Sequence, residues 1–189
     1  MGRLSLRELI LCALFVALVA VGALIRIPVG TDVFTLQFMF TLLAGLLLGP
    51  RLGATAVAVY ILLGLIGVPV FASGGGPGYI LQPTFGYLLG FVVQAWFCGW
   101  AARGGAVTFK RLLLINFGGM VIVYAFGLVW FYVISNYVID APVALYWVIL
   151  YCGILQIPPD ALLCVAAAAA AKRGLSAGIW LNPPRGTGR

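Results

Sequence analysis

The chain has 189 residues, 64% of them hydrophobic and only 8% charged, with a mean hydropathy of +1.17. A soluble domain carries about 25% charged residues, so this composition excludes a water-exposed surface and indicates an all-α integral membrane protein. Residues 1–189 read as a single membrane domain, with no room for a separate soluble catalytic domain, and the net charge of +7 reads as loops facing anionic membrane lipid rather than nucleic acid.

In chain order, Met1–Glu8 is basic and leads into an apolar run, as in a signal peptide. No convincing cleavage site follows, so the run at 9–25 reads as a retained first helix. Ala13, Ala17 and Ala20 share one of its faces, and small residues four apart permit close approach between membrane helices. Packing within the bundle and docking of a partner both fit that stripe. The next loop, Ile25–Gln37, carries Arg26, Asp32, Thr35 and Gln37. Further apolar runs follow at 34–48, 52–71, 85–102 and 112–134. A spanning helix needs about 20 residues, so the run at 34–48, which ends at Gly49-Pro50-Arg51, is expected to tilt into the bundle or to be only partly lipid-exposed.

Between the third and fourth runs lies Ser73–Thr84, in which six of twelve residues are glycine or proline. It has no basic residue and lacks the Gly-Lys-Ser/Thr ending of a phosphate-binding loop. Two readings remain: a plain turn, or a lid whose Gly76 and Gly78 let backbone approach a ligand, with Tyr79, Thr84 and Tyr87 supplying hydroxyls and aromatic surface.

The last apolar segment, 143–171, contains Pro158-Pro159 followed by Asp160. Proline fits the first turn of a helix and not its interior, so a break is expected there, with Asp160 in the first turn of the final helix. A carboxylate at that place caps free amide groups, or faces a cavity and accepts hydrogen bonds from a ligand, or does both.

Ten of the eleven basic residues fall on one side of this six-span arrangement, and Arg26 is alone on the other. That asymmetry predicts cytoplasmic termini. The four cysteines sit at wide spacing inside apolar stretches, as buried thiols do. Histidine is absent, as are an ATP-binding motif, a zinc-helix motif and a Gly-x-Ser-x-Gly nucleophile turn. The pattern predicts a membrane binding protein with no metal or cofactor and an energy source elsewhere. An intramembrane enzyme and a structural membrane protein are the readings from other classes.

The segment Thr35–Phe91, with T-L-Q, L-L-x-G-P-R-L-G, G-x-P-V-F-A and P-T-x-G-Y-L-L-G-F, closely resembles the BioY family. These are the biotin-specific substrate-binding (S) components of energy-coupling factor (ECF) transporters. The resemblance covers nearly the whole chain, though P-P-D-A-L-L-C matches the last family helix less completely. It implies a six-transmembrane-helix bundle of the ECF S-component type in a prokaryotic cytoplasmic membrane. Such a protein captures biotin and delivers it with a transmembrane coupling protein and two cytoplasmic ATPase subunits. By the same resemblance Ala13, Ala17 and Ala20 match the contact with the coupling protein, and the Gly-rich loop matches the lid. Asp160 matches the acid that binds the ureido end of the ligand.

Three positions depart from the family pattern. Leu163 stands where the family usually has lysine, Phe85 replaces a usual glycine, and Asp32 stands where proline is frequent. Arg26 is the candidate replacement cation, toward Asp160, Asp32 or the ligand's carboxylate, and an interface anchor is its other reading. Lipoate and dethiobiotin are the alternative ligands.

Overall fold

The computed structural model describes residues 5–29, 32–104, 107–178 and 180–181. Helix α1 (Leu6–Leu24) begins in a capping box, in which the Ser5 N–H donates to Glu8 Oε2 at 2.7 Å and the Glu8 N–H donates to Ser5 Oγ at 3.3 Å. These two bonds satisfy amides that a helix start otherwise leaves open. Strands β1 (Arg26–Val29) and β2 (Asp32–Thr35) then form an antiparallel hairpin, with Arg26 opposite Thr35 and Val29 opposite Asp32.

Helices α2 (Gln37–Leu48) and α3 (Pro50–Leu65) are too short to span, and ten of the twelve α2 residues are buried. Gly49, at φ 85°, ends the first of these helices in a conformation that other residues resist, and Pro50 opens the second. Helix α4 (Phe85–Ala102) lies against both, and glycine sets the spacing. A Cβ on Gly99 would stand 2.6 Å from the Gly45 carbonyl, so the backbones meet directly there.

Helix α5 (Phe109–Tyr137) packs most extensively on α4. After it come one α-turn, α6 (Leu145–Trp147), a π stretch at Val148–Gly153, a 3-10 turn at Ile154–Gln156, and α7 (Ile157–Ser176). Four segments are long and apolar enough to cross a membrane: Leu6–Leu24, Phe85–Ala102, Phe109–Tyr137 and Leu145–Gly174. With the two shorter apolar helices they make a six-helix membrane bundle. Leucine, isoleucine and valine side chains around its perimeter remain exposed, as a lipid-facing surface requires.

The structure differs from the sequence reading where apolarity and backbone geometry part company. The run at 52–71 is helical only to Leu65, because Gly67 adopts φ 110° and Pro69 follows. Helix α5 extends beyond 112–134 at both ends, with Thr108 accepting from the Arg111 N–H at 3.3 Å at its start. The irregularity in the last segment centres on Gly153 (φ −114°, ψ −82°), ahead of the prolines, which sit in the first turn of α7. The β hairpin carries residues that the apolar count had left as loop or merged into the second run.

Candidate functional site

The Gly-rich loop folds over the hairpin end of the bundle around one buried ring. Phe71 is only 2% exposed and lies between Tyr60 (centroids 5.5 Å, edge-on) and Tyr79 (4.4 Å). Phe71 and Gly74 exchange backbone hydrogen bonds of 2.9 and 3.2 Å, and the Gly76 N–H donates to the Gly64 carbonyl at 2.7 Å. Gly76 holds φ 109°, which explains a glycine at that position. The loop then runs through the 3-10 turn Pro77–Leu81 into α4.

Beneath it lies a cavity of about 280 Å³. Its wall takes Phe34 and Thr35 from β2, Gln37 and Phe38 from α2, and Ala72, Ser73, Tyr79, Gln82 and Thr84 from the loop. Tyr87 and Phe91 come from α4, Tyr124 and Phe131 from α5, and Gln156 and Asp160 from the last segment. Aromatic rings thus enclose a small set of polar groups, the usual make-up of a small-molecule site. Among the described lining residues Asp160 carries the only charge. It is 5% exposed and accepts a hydrogen bond from the Tyr124 hydroxyl at 2.7 Å. Its place in the first turn of α7 also sets it at the positive end of that helix.

Of the residues singled out in the sequence, Asp160, Tyr79, Gln37, Thr84 and Tyr87 converge on this cavity. Gly76 and Gly78 shape the loop without lining it. Arg26 is exposed on the hairpin, and its guanidinium donates to the carbonyl of Ala72, a lining residue at the cavity mouth. Burial raises the Tyr79 hydroxyl above its usual range, opposed by hydrogen bonds from Thr84 and Ser73 and by the charge of Arg26. Leu163 is not among the cavity-lining residues and packs, partly buried, against the main core. Sequence reasoning missed Tyr124, Gln156 and the four phenylalanines. Tyr124 lies within an apolar run that gives no sign of which face it occupies, whereas Gln156, four residues before Asp160, was a readable signal.

On α1, Ala13 and Ala17 are exposed and Ala20 is half-buried, flanked by exposed Ile10, Leu14 and Val21. The Ala13 and Ala17 part of the small-residue face is therefore open, while Ala20 packs partly against the core of this chain. Among the described residues no group of three or more His, Cys, Asp or Glu side chains is placed to hold a metal ion.

A membrane bundle with a partly open, aromatic-walled cavity at one end defines a small-molecule-binding membrane protein. Its fold matches a crystal structure described as the S-component for biotin from an ECF-type ABC transporter, with a TM-score of 0.77 and 25% sequence identity over 90% of this chain and 91% of the other. The family model described as the BioY family matches residues 1–178, and the chain belongs to the BioY family. A relative from Lysinibacillus sphaericus, named a probable biotin transporter BioY, is 42% identical over 170 residues, covering 89% of this chain and 87% of its own length. The biotin transporter BioY of Thermotoga maritima is 42% identical over 136 residues, 71% of this chain and 78% of its own length.

Proposed function

We propose that this chain is the membrane-embedded, high-affinity biotin-binding subunit of a prokaryotic vitamin-uptake system. It takes its ligand from outside the cell and is driven by a separate ECF coupling protein and two cytoplasmic ATPases. The observation that carries the reading is the buried Asp160 carboxylate, the one charged group among the described residues that line the aromatic-walled cavity. A buried carboxylate is costly unless it is hydrogen-bonded, and charge-assisted bonds from ligand N–H groups offset part of that cost. The ureido ring of biotin supplies such donors, its bicyclic body suits the phenylalanine-lined wall, and its carboxylate is best placed away from Asp160. Arg26 beside the mouth is the cation for that end, with Tyr79, Thr84, Tyr87 and the loop of Gly76 and Gly78 closing over the ligand. The match to the family and the relatives named as biotin transporters support the same ligand.

Titration calorimetry of biotin into detergent-purified protein tests this directly. Tight one-to-one binding is expected, with Asp160→Asn weakening it at least about 100-fold through loss of charge-assisted bonds. Dethiobiotin, which keeps the ureido group, should bind better than lipoate, which lacks it. A folded wild-type sample that gives no heat with biotin, or that prefers lipoate, sinks the reading.

The Ala13–Ala17–Ala20 face of α1, exposed at Ala13 and Ala17, is the docking surface for the coupling protein in this proposal. Ala17→Leu should leave biotin titration unchanged while abolishing uptake in cells that carry the coupling protein and ATPases. Unimpaired uptake would move the partner to another face.

A further inference from the structure

Tyr60 is wholly buried in α3 and does not line the cavity, yet its hydroxyl bonds to both the cavity's Gln37 amide and the backbone of Val70, just ahead of the Gly-rich loop. A phenol has one proton and a carbonyl oxygen can only accept. The Val70 carbonyl lies 3.0 Å from the Tyr60 hydroxyl, so the single proton goes to Val70. Toward Gln37 the hydroxyl is then an acceptor, and Gln37 must turn its NH2 group to it. The Gln37 carbonyl Oε1 is left on the side of Thr35, whose hydroxyl donates to it at 3.3 Å. Thr35 and Gln37 both face the cavity that holds Asp160. The opposite amide orientation would set oxygen lone pairs of Gln37 and Tyr60 against each other in a buried site, which is unfavourable.

We infer that Tyr60 is a positioning residue for ligand specificity: it locks the Gln37 amide with its carbonyl oxygen toward the cavity. Gln37 and Asp160 then present two acceptors, a face that selects ligands carrying paired N–H donors. This assignment rests on the biotin-binding reading for the ligand, while the proton order in the apo protein stands without it. Val70 immediately precedes Phe71, the ring on which the loop is seated, so loop position and amide orientation are set together. Moving the loop off Val70's present position releases the Tyr60 proton and unlocks Gln37.

Two measurements test it. The chain has four glutamines, so nitrogen-15 glutamine labelling in lipid nanodiscs gives a sparse side-chain spectrum, with Gln37 assigned by its loss in Gln37→Leu. The Gln37 NH2 is expected to resist solvent exchange in wild type and to lose that protection in Tyr60→Phe. An unprotected Gln37 NH2 in wild type overturns the assignment even where Tyr60→Phe fails to fold. Biotin titration should show Tyr60→Phe weakening binding about tenfold, with Gln37→Leu in the Tyr60→Phe background adding little further loss. Strictly additive losses, or an unchanged affinity beside a lowered melting temperature, would make Tyr60 merely structural. Should wild type bind no biotin, the function proposed above falls, and the exchange data still decide the role of Tyr60.

Discussion

The two walls of the cavity are built in different ways. One wall, α2 and α4 backed by α3, is held by backbone meeting backbone at Gly45, Gly53 and Gly99, and its residues belong to one continuous core. The other wall includes Leu145–Gln156, which changes from α to π to 3-10 geometry within twelve residues. Beneath that segment is a separate small cluster of Phe131, Val148 and Cys152, beside a second cavity of about 650 Å³. Besides this small apolar contact its ties to the bundle include polar ones: the Tyr87 hydroxyl donates to the Cys152 carbonyl at 2.7 Å, and Asn136 exchanges two 3.1 Å hydrogen bonds with Val143 just ahead of it. Close-packed interiors resist deformation, whereas segments with few buried contacts open at low cost. The comparison implies a fixed wall that sets cavity shape and an adjustable wall that carries Gln156 and leads into Asp160.

The largest effect should come from the fixed wall. Gly45→Val would drive a side chain into the Ala95 backbone, which cannot move without shifting α4. A loss of about 3 kcal/mol or more is expected, read as a collapse of the thermal melt and of the monodisperse size-exclusion peak. A near-wild-type melt would mean that this wall yields after all. An intermediate effect belongs to Tyr124→Phe, which removes the donor to Asp160 at the junction of the walls. The melting temperature should fall, because a hydrogen bond to a buried charged group contributes about 1.5–3 kcal/mol. Biotin affinity should fall about tenfold or more as Asp160 loses the contact that holds it in place. The smallest effect is expected from Tyr87→Phe, which cuts one tie of the adjustable wall at about 1 kcal/mol. Hydrogen exchange should quicken at residues 145–156 and stay unchanged in α2 and α4. Uniform quickening would show that the walls are not independent.

Much of the site was legible before folding. Asp160 stood out because an ionised group inside an apolar segment needs a reason, and Tyr79, Gln37 and Thr84 because polar residues are scarce in this chain. Tyr124 and Tyr60 did not stand out. Each is an aromatic residue in a long apolar run, and composition does not say which tyrosine hydroxyl is turned inward toward a partner. Leu163, which stands where the family usually has lysine, is absent from the cavity lining and packs against the main core.

The sequence by itself determined the solvent, the helical class and the count of six apolar helices, because hydropathy and residue spacing act locally and survive without neighbours, and its motifs carried the resemblance to the family. Only the tertiary structure decided how completely short α2 is buried, and that the irregular geometry of the last segment lies around Gly153, ahead of its prolines. It also decided that Gln37, Tyr60 and Val70 form one proton-ordered chain. Those outcomes depend on which backbones approach and which hydroxyl meets which carbonyl, and such meetings join residues from α2, α3 and the segment just ahead of the Gly-rich loop that no local pattern links.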